Sequence, residues 1–289
     1  MKIVMAGASG ALGSSLLKRL KAQGHWVRVI ARSAQAEVSL RALGADDVRV
    51  VAMQDVTALS AAMDQCELLW SSIGASTSFS FAGWRGYNAV DIPVNCALIE
   101  AAKRAGVARF AYTSLAHADA AGVRDTIYAK AHERVVRYGR ESGLRCNVLR
   151  PTGFFSAFAP IAQMAAKGYP LAVFADGSAR SNPIHPEDLA DFAMQLIQED
   201  REEFEVGGPE VLTRREMVEL AFASAGKKAR ILQIHPGIGR AQAFMVGLLH
   251  PRMGQLMRFL IEVSVHEAIA QVRGSRRMSD YFAELNNAK

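Results

Sequence analysis

The chain has 289 residues, of which 50% are hydrophobic, together with 23 Gly and 9 Pro. This length provides one large α/β domain and a smaller lobe, each with room for an apolar core. No uninterrupted apolar run reaches about 18 residues, so no membrane-spanning helix is expected. Three scattered cysteines without a C-x-x-C pair favour a reduced, cytoplasmic protein and indicate no metal site.

The net charge of +6 is concentrated near the carboxyl terminus. Residues 226–289 contain 10 Lys and Arg against 4 Asp and Glu, which accounts for the whole excess of positive charge. Such a basic segment attracts an anionic substrate or a membrane surface in some proteins, but in most it is a solvated face. Because the basic residues are not interleaved with aromatic residues, we expect no nucleic-acid partner.

The first predicted elements are a strand, a glycine turn and a helix. Residues 2–6 form a short apolar run, and leucines recur at helical spacing from residue 12 to residue 20. Between them lies the pattern G-x-x-G-x-x-G, a context that predicts dinucleotide binding. The first glycine permits a tight turn, the second lets a diphosphate approach the backbone, and the third lets the helix pack on the strand. The predicted contacts are Gly7, Ser9, Gly10, Ala11, Leu12 and Gly13.

The second predicted strand, residues 25–31, indicates which dinucleotide is bound. It ends in Arg32 and Ser33 rather than in an acidic residue. A carboxylate at this point binds the ribose 2′-hydroxyl of NAD, whereas the donors of an arginine match the oxygens of a 2′-phosphate. We therefore predict NADP(H) as the cofactor, with Arg32 as a cofactor-binding residue.

Further strand-like runs at 48–52, 67–72, 108–113 and 145–150 alternate with helical patterns. This alternation predicts an α/β fold with a doubly wound parallel sheet, the Rossmann arrangement. Ligands bind at the carboxyl ends of such strands. The residues at these ends are predicted to contact the cofactor: Asp55, Val56, Ser72, Ile73, Gly74, Thr113, Pro151, Thr152, Gly153 and Phe154.

The pattern changes after residue 155, where shorter strand-like runs mix with helices. We expect an NADP-binding Rossmann domain over 1–155 and a small, mainly helical substrate lobe over 156–289, with segments of this lobe returning to the sheet. A capping box from Thr213 to Glu216 opens one of its helices. The methionine-rich apolar stretch 244–260 is expected to pack in the core or in a homodimer, with a lid over an apolar substrate as the alternative.

Together these landmarks resemble the atypical branch of the short-chain dehydrogenase/reductase superfamily, the NmrA-like proteins. The matching segments span about residues 1–220 and are 7–13, 112–114, 142–155, 182–190 and 206–209. The resemblance implies a Rossmann fold, a nicotinamide cofactor and a small C-terminal substrate lobe. It does not imply one reaction, because the family contains reductases, epimerases and cofactor-sensing regulators.

Catalytic members of this family carry a Ser or Thr and then Tyr-x-x-x-Lys, and the matching residues here are Thr113, Ser114, Tyr128 and His132. The tyrosine transfers the substrate proton, and the lysine, on the same helical face, lowers the tyrosine pKa and binds the cofactor ribose. In this chain His132 takes the place of the lysine, and the resemblance therefore implies that His132 contacts the cofactor ribose. Lys130 points to another face of a helix, and a histidine is charged only part of the time at neutral pH.

Three interpretations of this departure are open. Tyr128 acts as the acid with His132 as a weaker, pH-dependent partner, or the cofactor and other groups suffice and water or the substrate supplies the proton. In the third, the protein binds NADP(H) without turnover. We expect an NADP(H)-dependent oxidoreductase that reduces a carbonyl or an activated double bond of a small, largely apolar substrate. In the expected mechanism the nicotinamide transfers a hydride, Tyr128 supplies the proton, and Thr113 or Ser114 orients the acceptor oxygen. The alternatives are a non-catalytic NADP(H)-binding redox sensor and a nucleotide-sugar epimerase.

Overall fold

The computed structural model of the protein describes residues 1–74 and 86–287. In chain order its strands and helices are β1 (Lys2–Ala6), α1 (Ala11–Ala22), β2 (Trp26–Ala31), α2 (Ala34–Ala42), β3 (Asp47–Val50), α3 (Val56–Ala62), β4 (Leu68–Ser71), α4 (Tyr87–Arg104), β5 (Arg109–Thr113), α5 (Ile127–Glu141), β6 (Arg145–Pro151), α6 (Ala159–Ala166), β7 (Leu171–Phe174), β8 (Arg180–Ser181), α7 (Pro186–Glu199), β9 (Glu203–Val206), β10 (Leu212–Thr213), α8 (Arg214–Ser224), β11 (Ile231–Ile234), α9 (Pro236–Leu249), α10 (Pro251–Val265) and α11 (Met278–Asn287).

The main sheet is parallel throughout and has the strand order β3-β2-β1-β4-β5-β6-β9. The chain first builds outward from β1 to β3, then crosses to β4 and builds in the opposite direction. Such a reversal leaves a crevice at the carboxyl ends of the two central strands, where ligands bind in folds of this kind. The predicted Rossmann fold class is confirmed.

The central strands are buried on both faces, which explains why they are continuous apolar runs in the sequence. In β1, Ile3 and Met5 belong to the apolar cluster that includes α1 and α7. Val4 and Ala6 belong to the cluster on the other face, with α3, α4 and α5. The strand that leads into the glycine turn is therefore fixed from both sides.

Part of the chain after residue 155 joins the main sheet, since β9 pairs with β6. The helix α7 packs on the main sheet, whereas α6, β7, α8 and α11 form a separate apolar cluster. Thr213 and Glu216 form the predicted capping box at the start of α8. The division at residue 155 into two domains stays a prediction.

The helices α9 and α10 form a tight hairpin near the carboxyl terminus. A Cβ placed on Gly254 would lie 2.4 Å from the Cα of Gly247, so the two helix backbones touch. The outer face of α9 is apolar and exposed, with Ile238, Phe244, Met245, Leu248 and Leu249 at 56–77% exposure. The predicted core packing of the stretch 244–260 thus holds for α10 but not for this face of α9. Over 1–74 and 86–287, no helix has the length and apolar character needed to cross a membrane.

Candidate cofactor-binding cleft

A cleft of about 840 Å³ opens at the carboxyl ends of β1, β2 and β4. Its volume lies within the range of small-molecule and cofactor sites. The cleft is at the crevice that the sheet order predicts. Its described lining residues are Gly7, Ala8, Ser9, Gly10, Val29, Ile30, Ala31, Arg32, Ser33, Ala36, Leu40, Met53, Ser72, Ile73, Gly74, Val90, Val94 and Arg252.

The glycine turn after β1 has no room for side chains at two of its three glycines. Gly7 has a φ of +90°, and a Cβ there would lie 2.9 Å from the carbonyl carbon of Ser72. A Cβ at Gly13 would lie 2.2 Å from the carbonyl oxygen of Gly7, because α1 packs directly on the turn. A Cβ at Gly10 would meet no atom closer than 3.5 Å, and Gly10 lines the cleft. Gly7 and Gly13 therefore fix the turn, while Gly10 leaves space for a ligand.

The amino terminus of α1 follows this turn and has no side-chain cap. Its N-cap residue is Gly10, and its first turn contains no acidic residue. The backbone N–H groups of Ala11, Leu12 and Gly13 have no partner within the helix, and the positive end of the helix dipole attracts an anion. The Leu12 side chain itself is buried in the core. These donors fit the diphosphate of a dinucleotide.

Arg32 and Ser33 form the wall of the cleft at the end of β2. Arg32 is exposed, and none of the ion pairs among the described residues involves it. Ser33 is the N-cap of α2, and its side chain makes no capping hydrogen bond there. A guanidinium, a hydroxyl and a helix amino terminus at one point fit a 2′-phosphate.

The segment 72–74 forms the opposite wall, and partly buried hydrogen bonds hold a side chain and a backbone carbonyl of this segment. The indole Nε1 of Trp70 donates to Ser72 Oγ at 2.7 Å. The side-chain amide of Asn95 donates to the Ile73 carbonyl at 3.2 Å, and Asn95 is itself fully buried. All three predicted residues of this segment, which ends at Gly74, line the cleft.

Asp55 and Val56 lie at the start of α3 and do not line the described cleft. Asp55 is the N-cap of this helix, and its Oδ1 accepts a hydrogen bond from the backbone N–H of Ala58 at 3.0 Å. The carboxylate is thus engaged by its own helix, and its predicted cofactor contact stays a prediction. Met53, two residues earlier, lines the cleft instead.

The segment 151–154 also lies outside the described lining. Thr152 donates its hydroxyl hydrogen to the Asn182 carbonyl at 2.6 Å. The Gly153 carbonyl accepts from the backbone of Ile184, and Phe154 forms a β-bridge with the same residue. These contacts join the end of β6, at Pro151, to the loop before α7. Their cofactor contacts stay predictions.

Thr113 and Ser114 follow β5 but contact different neighbours. Thr113 Oγ1 lies 3.4 Å from Oγ of Ser72, a lining residue. Ser114 is 5% exposed, and its Oγ accepts from the Arg150 guanidinium at 3.4 Å. Arg150 is buried and paired with Glu133. Thr113 therefore adjoins the cleft wall, whereas Ser114 belongs to a buried ion-pair network.

Tyr128 and His132 lie side by side on α5, outside the described lining of the cleft. Their ring centroids are 4.7 Å apart, and Tyr128 also packs on Tyr87 at 4.8 Å and on Phe259 at 4.2 Å. Nδ1 of His132 is 2.8 Å from the hydroxyl of Tyr112, and its Nε2 has no hydrogen-bond partner in the described part of the chain. The two predicted catalytic residues are thus brought together, within an aromatic cluster that α10 covers.

Burial determines the protonation of this pair. It raises the pKa of Tyr128 above its ordinary value, and the charge of Asp91 raises it further. Burial lowers the pKa of His132 to about 4, and the positive charge of Arg150 acts in the same direction. Both side chains are therefore neutral at pH 7. His132 does not supply the positive charge that the lysine of the family brings to its tyrosine.

Residues that no local pattern marks complete the cleft. Val90 and Val94 come from α4, and Arg252 comes from α10, far along the chain. Their contribution depends on how α4 and α10 pack against the end of the sheet. Within the described ranges, no group of His, Cys, Asp and Glu is arranged to hold a metal ion.

Several solved structures share this fold over nearly the whole chain. The NADPH-dependent quinone oxidoreductase QOR2 of Escherichia coli, in complex with NADPH, has a TM-score of 0.76 at 23% identity, covering 99% of this chain and 100% of that chain. The triphenylmethane reductase of Citrobacter sp. has a TM-score of 0.75 at 17% identity, covering 99% and 100%. A nucleoside-diphosphate-sugar epimerase of Staphylococcus aureus has a TM-score of 0.73 at 17% identity, covering 98% and 96%. At these identities the similarity shows the shared fold.

Two relatives are found by sequence. A stretch of 114 residues, 38% of this chain, is 31% identical to the chloroplastic divinyl chlorophyllide a 8-vinyl-reductase of Cucumis sativus and spans 26% of that protein. Over 242 residues the chain is 24% identical to the photosystem II assembly factor Ycf39 of Guillardia theta, covering 81% of this chain and 73% of the relative.

A protein-family model described as NAD(P)H-binding matches residues 7–200. The match begins at the glycine turn and includes β2 and β4, two of the three strands that border the cleft. The predicted class of cofactor is thereby confirmed, and so is the resemblance that the sequence motifs indicate. This chain belongs to the NAD(P)H-binding family.

Proposed function

We propose that this protein is an NADP(H)-dependent oxidoreductase that reduces a carbonyl or an activated double bond of a small, largely apolar molecule. The cleft is the observation that carries this proposal. One continuous surface there combines the space beside Gly10, the uncapped amino terminus of α1 and the guanidinium of Arg32, which makes no ion pair with a described residue. Such a surface suits a dinucleotide with a phosphate at each end of its adenosine half.

The choice of NADP(H) over NAD(H) rests on the wall at the end of β2. The negative group nearest to Arg32 along the chain is Glu37, which is paired with Arg41 at 2.8 Å. Arg32 makes no ion pair with a described residue, and the described lining of the cleft contains no carboxylate. Arg32 therefore suits a 2′-phosphate, whereas a carboxylate at this point would bind the ribose of NAD. The structural similarity to QOR2, whose structure contains NADPH, supports the same choice.

When bound, the cofactor supplies a hydride to the acceptor. The chain's own contribution is to hold it, with the turn 7–10 on one side and the wall 72–74 on the other. The uncharged Tyr128 and His132 do not form an activated acid, since the Tyr128 pKa is raised and His132 is neutral. We therefore favour the interpretation in which water or the substrate supplies the proton.

Hydride transfer without an acid in the site favours certain acceptors. These acceptors become a stable anion or a neutral molecule when they take up the hydride, before any proton is added. Quinones, cationic dyes and conjugated double bonds have this property, whereas a simple ketone needs a proton donor at its oxygen. The names of the similar proteins, a quinone oxidoreductase, a triphenylmethane reductase and a vinyl-reductase, support acceptors of this kind.

NADPH oxidation with a panel of quinones, triarylmethane dyes, conjugated enals and simple ketones tests the proposal. We expect turnover with the first three classes and little with ketones. With deuterium at C4 of NADPH, the deuterium should appear in the reduced enal, which separates direct hydride transfer from a side reaction with oxygen.

The second function that a specific observation favours is a redox sensor that binds NADP(H) without turnover. That observation is the neutral His132, together with the finding that no cation of the described residues contributes to the shift of the Tyr128 pKa. Tight NADPH binding without turnover over the whole panel would support the sensor and contradict the reductase. An epimerase is less favoured, because a tyrosine with a raised pKa stays protonated at neutral pH and so is not available as the phenolate base.

A further inference from the structure

Arg252 brings a positive charge from the carboxyl-terminal hairpin into the cleft. It is the second residue of α10, it is 5% exposed, and it lines the cleft together with Gly74, Val90 and Val94. Its charge also acts on the Tyr87 hydroxyl, which lies at the start of α4. The guanidinium therefore lies on the β4 side of the cleft, next to the amino-terminal half of α4.

The fold holds Arg252 at this point through contacts on both sides of it. His250, the N-cap of α10, accepts a hydrogen bond at Nδ1 from the backbone N–H of Met253 at 3.3 Å. One turn further on, Gln255 accepts from the backbone N–H of Tyr87 at 3.2 Å. Since α9 is in backbone contact with α10 at Gly254, the whole hairpin determines where Arg252 lies.

The charges that line the cleft match those of the proposed cofactor. Among the described lining residues, the charged side chains are Arg32 and Arg252. Arg32 follows β2, on one side of β1, whereas Arg252 lies beside the segment after β4, on the other side. NADP(H) carries negative charge at two separate places, the 2′-phosphate at the adenosine end and the diphosphate in its middle. The glycine turn between the two arginines offers N–H donors but no full charge.

We propose that Arg252 binds the diphosphate of NADP(H) from the side opposite the glycine turn, and so links the α9–α10 hairpin to the bound cofactor. This inference rests on the proposed function. A guanidinium has five donors in a planar fork, so it can keep its contacts within the protein and still bind a phosphate oxygen. Lysine would keep the charge but lose the fork.

Titration of three ligands against Arg252→Gln tests this assignment. NADPH contains both anionic groups, ADP-ribose 2′-phosphate contains both but lacks the nicotinamide, and 2′-AMP contains the 2′-phosphate alone. We expect the dissociation constants of the first two to rise together by about 10- to 100-fold. The constant for 2′-AMP should stay within about twofold. Arg252→Lys should give a smaller rise for the same two ligands.

Arg273→Gln is the matched control, because this exposed arginine of the same carboxyl-terminal segment makes no ion pair with a described residue. It should leave all three constants unchanged. Arg252→Gln overturns the inference if it leaves NADPH binding unchanged, if it weakens NADPH but not ADP-ribose 2′-phosphate, or if it weakens 2′-AMP equally. If Arg252→Gln does not fold, Arg252→Lys gives the same comparison of ligands.

Hydrogen exchange provides a readout of the proposed link. NADPH should slow amide exchange in α9 and α10 of the unmodified protein, and it should not do so in Arg252→Gln at saturating NADPH. Equal protection in both proteins would contradict the link. If the unmodified protein binds no NADPH, the proposed function fails. If the unmodified protein binds NADPH and substitution of Arg252 does not change this binding, only the present inference is refuted.

Discussion

At the scale of single residues, His132 determines what α5 can do. It occupies the place of a catalytic lysine, but it is buried next to Tyr112 and its pKa is lowered to about 4. The folded protein therefore holds a neutral imidazole at the position where the resemblance to catalytic short-chain dehydrogenases implies a lysine. This difference favours a site that delivers a hydride without a strong acid of its own.

The lowered pKa predicts an acid-dependent loss of stability. In the unfolded chain the pKa is about 6.5, so the contribution of neutral His132 is complete above that pH and is lost as the pH falls towards 4. The loss amounts to about 3 kcal/mol at most. In urea unfolding at several pH values, the free energy of unfolding should decline more steeply with falling pH for the unmodified protein than for His132→Gln. Above pH 7 the two curves should run parallel. Parallel curves over the whole range would show that His132 titrates normally.

Substitution of the neighbouring tyrosine tests the choice of proton source. Because the pKa of Tyr128 is raised and no cation activates it, Tyr128→Phe should keep kcat for a quinone or dye within a few fold of the unmodified protein. The loss of a true general acid costs about 10²- to 10⁴-fold. Tyr138→Phe is the control, since this tyrosine of the same helix bonds to Glu100 away from the cleft. A selective loss of that size in Tyr128→Phe would restore Tyr128 as the acid.

At the level of elements, different glycines of the β1–turn–α1 unit are expected to determine the stability of the fold and the affinity for NADPH. Gly13→Ala should destabilise the fold by about 3 kcal/mol, because its Cβ would collide with the Gly7 carbonyl oxygen. Gly10→Ala should fold almost normally, since its φ of −78° suits alanine and its Cβ meets no close atom. Its NADPH affinity should nevertheless fall, because the methyl group takes space in the cleft. Thermal melts and cofactor titrations of the pair check this, and normal NADPH binding by Gly10→Ala would remove the turn from the site.

Two motifs that match the family join elements rather than line the cleft. The side-chain amide of Asn182 bonds to the carbonyls of Gly208 and Ala270, which brings the segment before α11 against β9. Asp188, at the start of α7, accepts from the backbone N–H groups of Ser275 and Arg276 at 2.9 and 3.0 Å. These residues attach the carboxyl-terminal segment to the Rossmann unit, which is a structural reason for the pattern 182–190.

Local patterns predicted the elements well, but not every contact of the cleft. The runs at 67–72 and 108–113 correspond to β4 and β5, because strands buried on both faces leave an unbroken apolar signal. The N-cap role of Asp55 has a sequence signal as well, an Asp directly before a helix. The place of Arg252 has none, since it arises when α10 docks on α4, more than 150 residues earlier in the chain. Contacts of this kind depend on tertiary packing alone.

At the scale of the whole molecule, much of the excess positive charge is used inside the carboxyl-terminal region. Arg240 and Arg258 both pair with Glu262, which is 1% exposed. Arg276 pairs with Asp188, and Arg277 pairs with Glu210 at 2.8 Å. These pairs serve to assemble the lobe, so the charge does not by itself indicate an anionic partner. The exposed apolar face of α9 keeps the homodimer as a prediction.

We propose that the cleft selects NADP(H) through Arg32. Calorimetric titration of NADPH and NADH into the unmodified protein and Arg32→Ala tests it most directly, with Arg49→Ala, an exposed arginine at the end of β3, as control. NADPH should bind about 10- to 100-fold more tightly than NADH, and Arg32→Ala should remove this preference by weakening NADPH alone. Equal dissociation constants for the two cofactors, unchanged in Arg32→Ala, would contradict it.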